Sequence, residues 1–175
     1  MKLREILKNV IGMETEKIKE RFSKSFIIPN ELMLVGINQK NDLSIMMVST
    51  NVKTKSHEQI FSEIFPKISN QLKHETYMVV WCKLIKKEIK KEDGTKDFIK
   101  GFMIVFESVY GTIIKCFELN LLGKFVDENG NVVQRAEFGN DLQLESTYEY
   151  ENRFNDLLTK EPLNENNFKI PGVIE

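Results

Sequence analysis

Three apolar runs in the middle of the chain constrain the fold more than any other feature: TYMVVWCKLI from Thr76, DFIKGFMIVFESV from Asp97 and GTIIKCFELN from Gly111. Each is dense in β-branched and aromatic residues. They are separated by the turn signals Glu92-Asp93-Gly94-Thr95 and Tyr110-Gly111, the pattern of consecutive antiparallel strands. Strand side chains alternate, so in the second run Phe98, Phe102, Ile104 and Phe106 share one face, and Ile99, Met103 and Val105 share the other. Apolar residues on both faces predict a central strand covered on both sides, or a sheet curved around a core.

The rest of the chain supplies elements to pack against that sheet. Leu3, Ile6, Leu7, Val10 and Ile11 recur at helical spacing, which predicts an amphipathic helix. Gly12 is expected to interrupt it before a more charged helical stretch running to about Ser23, whose charge run reads as a solvated face. ELMLVGI and LSIMMVST flank the polar NQKND and predict a hairpin. Ser56 to Gln59 forms a capping box that opens a helix to about Leu72, kinked at Pro66. LGKFVD and NVVQRAEF surround Glu128-Asn129-Gly130, a strong hairpin signal. A second capping box, Ser146 to Glu149, predicts a final helix carrying Tyr150, Phe154, Leu157 and Leu158 on one side.

These elements predict an α+β fold: helices packed on one face of a curved antiparallel sheet of about six or seven strands, two-layer or cone-like. Without a repeat or a low-complexity linker, residues 1–160 form a single domain and 161–175 an extended C-terminal tail.

Charge and cysteine usage narrow the function classes. The 175 residues carry a net charge of −1 with 29% charged and 41% hydrophobic residues, so no global field draws the chain to nucleic acid or an anionic bilayer. The first residues lack the apolar core of a secretory signal, and no run approaches the length of a membrane span. Cys82 and Cys116 lie inside apolar runs and read as buried thiols of a reducing compartment, a cross-strand disulfide being the sharper alternative. A cytoplasmic location follows.

Catalytic motifs are scarce. The histidines His57 and His74 are without partners at zinc-ligand spacing, and the isolated glycines Gly101, Gly111, Gly123, Gly130 and Gly139 suit turns and bulges better than a phosphate cradle. Glu88-Ile89-Lys90 has the spacing of a metal-dependent nuclease, but lacks the second carboxylate on a preceding paired strand. Between Lys83 and Lys100 seven lysines meet four carboxylates, a net of +3 without arginine. No aromatic is interleaved between Lys83 and Asp97, so the stretch reads as a projecting hairpin that makes a protein contact before a nucleic-acid one.

The sequence therefore points to a non-catalytic protein that binds another protein or a second copy of itself, as an adaptor, chaperone-like or assembly component. No cofactor, metal or membrane partner is expected, and nucleic acid is disfavoured. The expected partner-binding residues are Leu163, Phe168, Ile170 and Val173 in the tail, with Lys86, Lys87, Lys90 and Lys91 as the hairpin contact. The alternatives are a ligand carrier or enzyme with a pocket inside the cone, favoured by a deeply buried Glu107 or Glu118, and, more remotely, a nuclease or nucleic-acid binder at the lysine-rich hairpin.

Overall fold

The fold is described from a computed structural model, which defines residues 2–25, 31–37, 42–49 and 75–159. In chain order it contains helix α1 (Leu3–Ser25) and strands β1 (Glu31–Ile37), β2 (Leu43–Ser49), β3 (Glu75–Lys90), β4 (Lys96–Ser108), β5 (Gly111–Val126) and β6 (Val132–Asp141). The strands form one antiparallel sheet in the order β2-β1-β3-β4-β5-β6, curled into a half-barrel. The expected helix between Ser56 and Leu72, both histidines and the C-terminal tail lie outside the described residues.

The α1 side of the sheet is packed because α1 carries a complete stripe. Leu3, Ile6, Leu7, Val10, Ile11, Ile18 and Phe22 are all buried against Val80, Cys82, Phe102, Ile104 and Phe106. Contrary to expectation, Gly12 does not interrupt the helix. It sits on the outer face, where a Cβ would find nothing within 4 Å, and its propensity penalty of about 1 kcal/mol is smaller than the gain from burying Ile18 and Phe22 further along the helix. Within the stripe, Thr15 donates to the Ile11 carbonyl at 2.6 Å, and Glu14 pairs with Lys17 at 3.7 Å. Phe22 anchors the helix end, its ring 4.5 Å from Phe102 and 5.7 Å from Phe138.

The opposite side buries Leu32, Leu34, Val79, Trp81, Met103, Val105 and Cys116 beneath a strap that includes Leu142, Phe154 and Leu157. Both faces of the core halves of β3 and β4 are thus covered, as the double-sided apolar pattern of β4 predicts. The strap is not the helix that the capping box suggests. It holds two one-turn 3-10 segments, Tyr148–Tyr150 and Asn155–Leu157. Ser146 accepts from Tyr148 N at 3.4 Å, a turn contact two residues on. Asn152 takes a φ of 55°, a left-handed conformation that breaks a helix. Phe154 N donates to the Glu107 carboxylate at 2.8 Å and so does not close a helical turn. Among the described residues α1 is the one helix longer than a single turn, and no helix is long and apolar enough to cross a membrane.

Candidate functional site

Beyond the covered core the sheet divides into two ribbons, and the division follows from pairing. The β4–β5 ladder runs from Ser108↔Gly111 to Gly101↔Glu118 and ends there. From that point β4 continues paired to β3 as far as Lys90↔Lys96, while β5 continues paired to β6 as far as Val126↔Val132. Two register shifts bend the second ribbon away, between Phe117 and Leu119 and between Leu121 and Gly123, since a bulge kinks a strand and increases its twist. The edges of β4 over 96–100 and of β5 over 119–126 therefore face a cleft without a ladder partner among the described residues. At its root the cleft measures about 420 Å³ and is lined by Leu84, Ile85, Lys86, Lys100, Leu119 and Leu121, with Gly101 at the base.

Gly101 makes the root possible. A Cβ there would lie 2.8 Å from Leu142 Cδ2, 3.0 Å from Ile85 Cγ1 and 3.3 Å from Cys116 Sγ. Only a residue without a side chain lets the strap pack that closely.

The first ribbon is the projecting hairpin expected from the sequence. Lys91 N donates to Thr95 O at 2.8 Å, and the Asp93 carboxylate accepts from Thr95 N at 2.9 Å. The Thr95 hydroxyl and N–H hold the Asp93 carboxyl below its ordinary pKa. Alternation from Cys82 and Leu84, which face α1, places Lys86, Glu88 and Lys90 on that same side. Across the ladder, Lys86 stands opposite Lys100, Glu88 opposite Phe98 and Lys90 opposite Lys96. Four lysines and one glutamate thus surround Phe98, which is 57% exposed. Glu88 is engaged by Lys96 at 2.9 Å, and Asp97 on the other side by Lys91 at 3.4 Å. Lys87 also points to the other side, where it donates to the Gln143 carbonyl and ties the ribbon to the strap. Of the four expected contact lysines, then, Lys86 and Lys90 share the α1 side, Lys87 is structural, and Lys91 lies in the turn.

The second ribbon carries several exposed apolar residues. Leu122 is 52% exposed, Val126 71% and Val132 68%, with Val126 and Val132 directly opposite each other. Arg135 covers Phe125 on the back of the ribbon, 4.8 Å from its ring centre. The turn is fixed by Asp127, whose carboxylate accepts from Asn129 N and Asn131 N at 2.9 and 2.8 Å. Sequence reasoning misses this surface, because the bulge at Leu121–Gly123 shifts the alternation and no regular pattern marks it.

Among the described residues Glu107 is the most buried carboxylate, 1% exposed on the strap side of β4. Its oxygens accept from Trp81 Nε1 at 2.9 Å and from Phe154 N at 2.8 Å. Burial pushes its pKa up, opposed by these donors and by the Arg153 guanidinium, which also lies 5.2 Å over the Trp81 ring. With both oxygens engaged, the group acts as a clamp between sheet and strap. Glu118, the other carboxylate singled out, is half-buried on β5.

The thiols are on opposite sides of the sheet, Cys82 toward α1 and Cys116 toward the strap, and both are free. A bridge between them within one chain is therefore excluded by geometry. Burial raises their pKa to about 12 and about 11, which removes the thiolate that nucleophilic chemistry needs. Among the described residues no group of three or more His, Cys, Asp and Glu side chains could hold a metal ion. Comparison with protein-family models, with curated proteins and with solved structures found no match.

Proposed function

We propose that the protein is a non-catalytic binding protein, an adaptor, chaperone-like or assembly component, that holds another protein on the α1-side face of its two ribbons. The observation that carries this reading is where apolar surface is left exposed. Of eleven exposed large hydrophobic residues among the described ones, Phe98, Leu121, Leu122, Phe125, Val126 and Val132 lie on the ribbons beyond the core, Phe125 on the back beneath Arg135. Exposed apolar residues beside strand edges that lack a ladder partner among the described residues suit an interaction site. Of the two carboxylates that would favour a pocket-based activity, Glu107 has both oxygens taken by Trp81 and Phe154, and Glu118 is only half-buried. Nuclease chemistry at Glu88 draws on a carboxylate already paired with Lys96.

Site-directed photo-crosslinking tests the reading. Phe98→p-benzoylphenylalanine and Val132→p-benzoylphenylalanine, expressed in the native host, are expected to yield protein adducts, with another protein or a second copy of this chain. Met13→p-benzoylphenylalanine, at an exposed site on the outer face of α1, is expected to yield none. Ribbon positions that give no more adduct than Met13 would overturn it.

A further inference from the structure

We propose that the cleft between the ribbons takes an extended segment of a partner protein in which glutamates alternate with apolar residues, added as a strand between β4 and β5. This rests on the protein-binding reading and names the chemistry of the partner.

Backbone geometry gives the first argument. The two edges that bound the cleft, 96–100 of β4 and 119–126 of β5, belong to strands that are laddered together on the core side and separate at Gly101↔Glu118. An inserted strand continues the sheet where its own ladder stops. It would lie about 4.8 Å from each edge and satisfy main-chain groups on both. No other position in the described sheet offers two edges to one segment.

Side-chain chemistry gives the second. On the α1 side the entering strand meets Lys100, with Lys86 one strand further on, on one flank and Leu119 and Leu121 on the other, Lys96 being engaged by Glu88. Glutamate suits both flanks, because its methylenes lie along the leucines while its carboxylate reaches an ammonium. On the strap side β4 presents Ile99, half-buried against that core with Ile85 behind it, next to Asp97, which Lys91 already engages at 3.4 Å, so the alternate residue beside Ile99 is apolar. Period-two alternation of acid and apolar residues matches the two faces.

Like charges placed opposite each other give the third. Lys86↔Lys100 and Lys90↔Lys96 are direct cross-strand partners, an arrangement that repels. A row of partner carboxylates relieves it. The same lysines oppose edge-to-edge pairing of two copies of this ribbon, so the charge selects for an acidic strand over a second copy. Single-stranded nucleic acid is the less favoured anion: the α1-side face of the lysine ribbon has no arginine and one exposed aromatic, Phe98, where stacking platforms are needed.

Fluorescence anisotropy with the full chain tests this, using a labelled peptide of alternating Glu and Leu, a Glu-Ser peptide, a Glu-Pro peptide that lacks every second N–H, and oligodeoxythymidylate. The Glu-Leu peptide is expected to bind, to weaken several-fold from low to physiological salt, and to shift the amide resonances of 96–101 and 119–126. The Glu-Ser and Glu-Pro peptides are expected to bind at least about ten-fold more weakly. The double variant K86E/K100E is expected to weaken Glu-Leu binding at least about ten-fold, with an unchanged thermal melt showing that the fold is retained. Absence of Glu-Leu binding, indifference to K86E/K100E, or tighter binding of the oligodeoxythymidylate would overturn the proposal. If ribbon crosslinks to a protein persist undiminished in K86E/K100E, the acidic strand is wrong while the protein-binding reading stands. If the crosslinks are absent as well, both fall.

Discussion

Glu107→Gln separates the two forces that act on the buried carboxylate. Burial favours the neutral acid, at a cost of several kcal/mol for an ionised group. The N–H groups of Trp81 and Phe154 favour the anion, by roughly 1.5–3 kcal/mol each. Burial is the larger influence and the pKa of Glu107 is raised above the ordinary 4.5. The folded state therefore keeps its proton at a pH where the unfolded chain has lost it. Stability from this group is complete below the unfolded value and falls as pH rises through the folded one, with a slope of at most about 1.4 kcal/mol per pH unit. Glutamine keeps the shape but cannot titrate, and it presents an amide donor to one of the two N–H groups. The assay is urea unfolding of wild type and Glu107→Gln at closely spaced pH values from 4 upward. Subtracting the two curves removes the exposed carboxylates Glu20, Asp93 and Asp97, whose lowered pKa values act in the opposite sense. The wild-type advantage should be greatest at acid pH, decline across one window and be flat outside it. A flat difference throughout would show that the donors cancel burial, and an advantage that grows with pH that they outweigh it; either refutes the reasoning.

Two further substitutions exploit the contrast between glycines. Gly12→Ala fills open space on the outer face of α1 and should stabilise the protein by roughly 0.5–1 kcal/mol, read as a higher urea midpoint with an unchanged slope. Gly101→Ala makes the same chemical change where a methyl would lie 2.8 Å from Leu142 Cδ2 and 3.0 Å from Ile85 Cγ1. Overpacking there should destabilise by about 1–3 kcal/mol, and a rise in midpoint would contradict the close packing of strap on sheet.

Elements whose signal is local are legible in the sequence. The density of Val, Ile and Phe in 76–85, 97–109 and 111–120 marks β3, β4 and β5, and Asp127 to Gly130 marks the turn before β6. The two faces of β4 follow from alternation alone. Failures come where a distant group overrides a local one. The capping box at Ser146 predicts a helix, but Glu107, 47 residues earlier, takes the Phe154 N–H that helix formation would use. Gly12 reads as a breaker until the buried Ile18 and Phe22 beyond it are weighed. The cleft is invisible for a related reason: it depends on where one ladder ends and another bulges. Lys96, Phe98 and Lys100 alternate plainly in the sequence, yet only their pairing with Lys90, Glu88 and Lys86 makes them a surface.

The division of labour along β3 bears on why the lysines are there at all. From Thr76 to Cys82 every residue is buried, and from Lys83 to Lys90 none is, exposed and half-buried positions being interspersed. Stability is concentrated in the first half, where each large apolar side chain contributes roughly 1.5–3 kcal/mol. The ribbon adds little, so folding places few demands on its side chains. A ribbon shaped for solubility alone would oppose unlike charges across the ladder, as the diagonal pair Glu88 and Lys96 does at 2.9 Å. Instead lysine stands opposite lysine at both Lys86↔Lys100 and Lys90↔Lys96. At the Cβ separation of about 4.5–5.5 Å typical of such pairs, each repels by a few tenths of a kcal/mol or more. Edge protection requires charge but not this arrangement, since a mixed pair would protect the edge without repulsion. Two like pairs, on the same side as an exposed Phe98 and beside an apolar cleft, suit carboxylates that arrive from outside the ribbon, as the proposal requires.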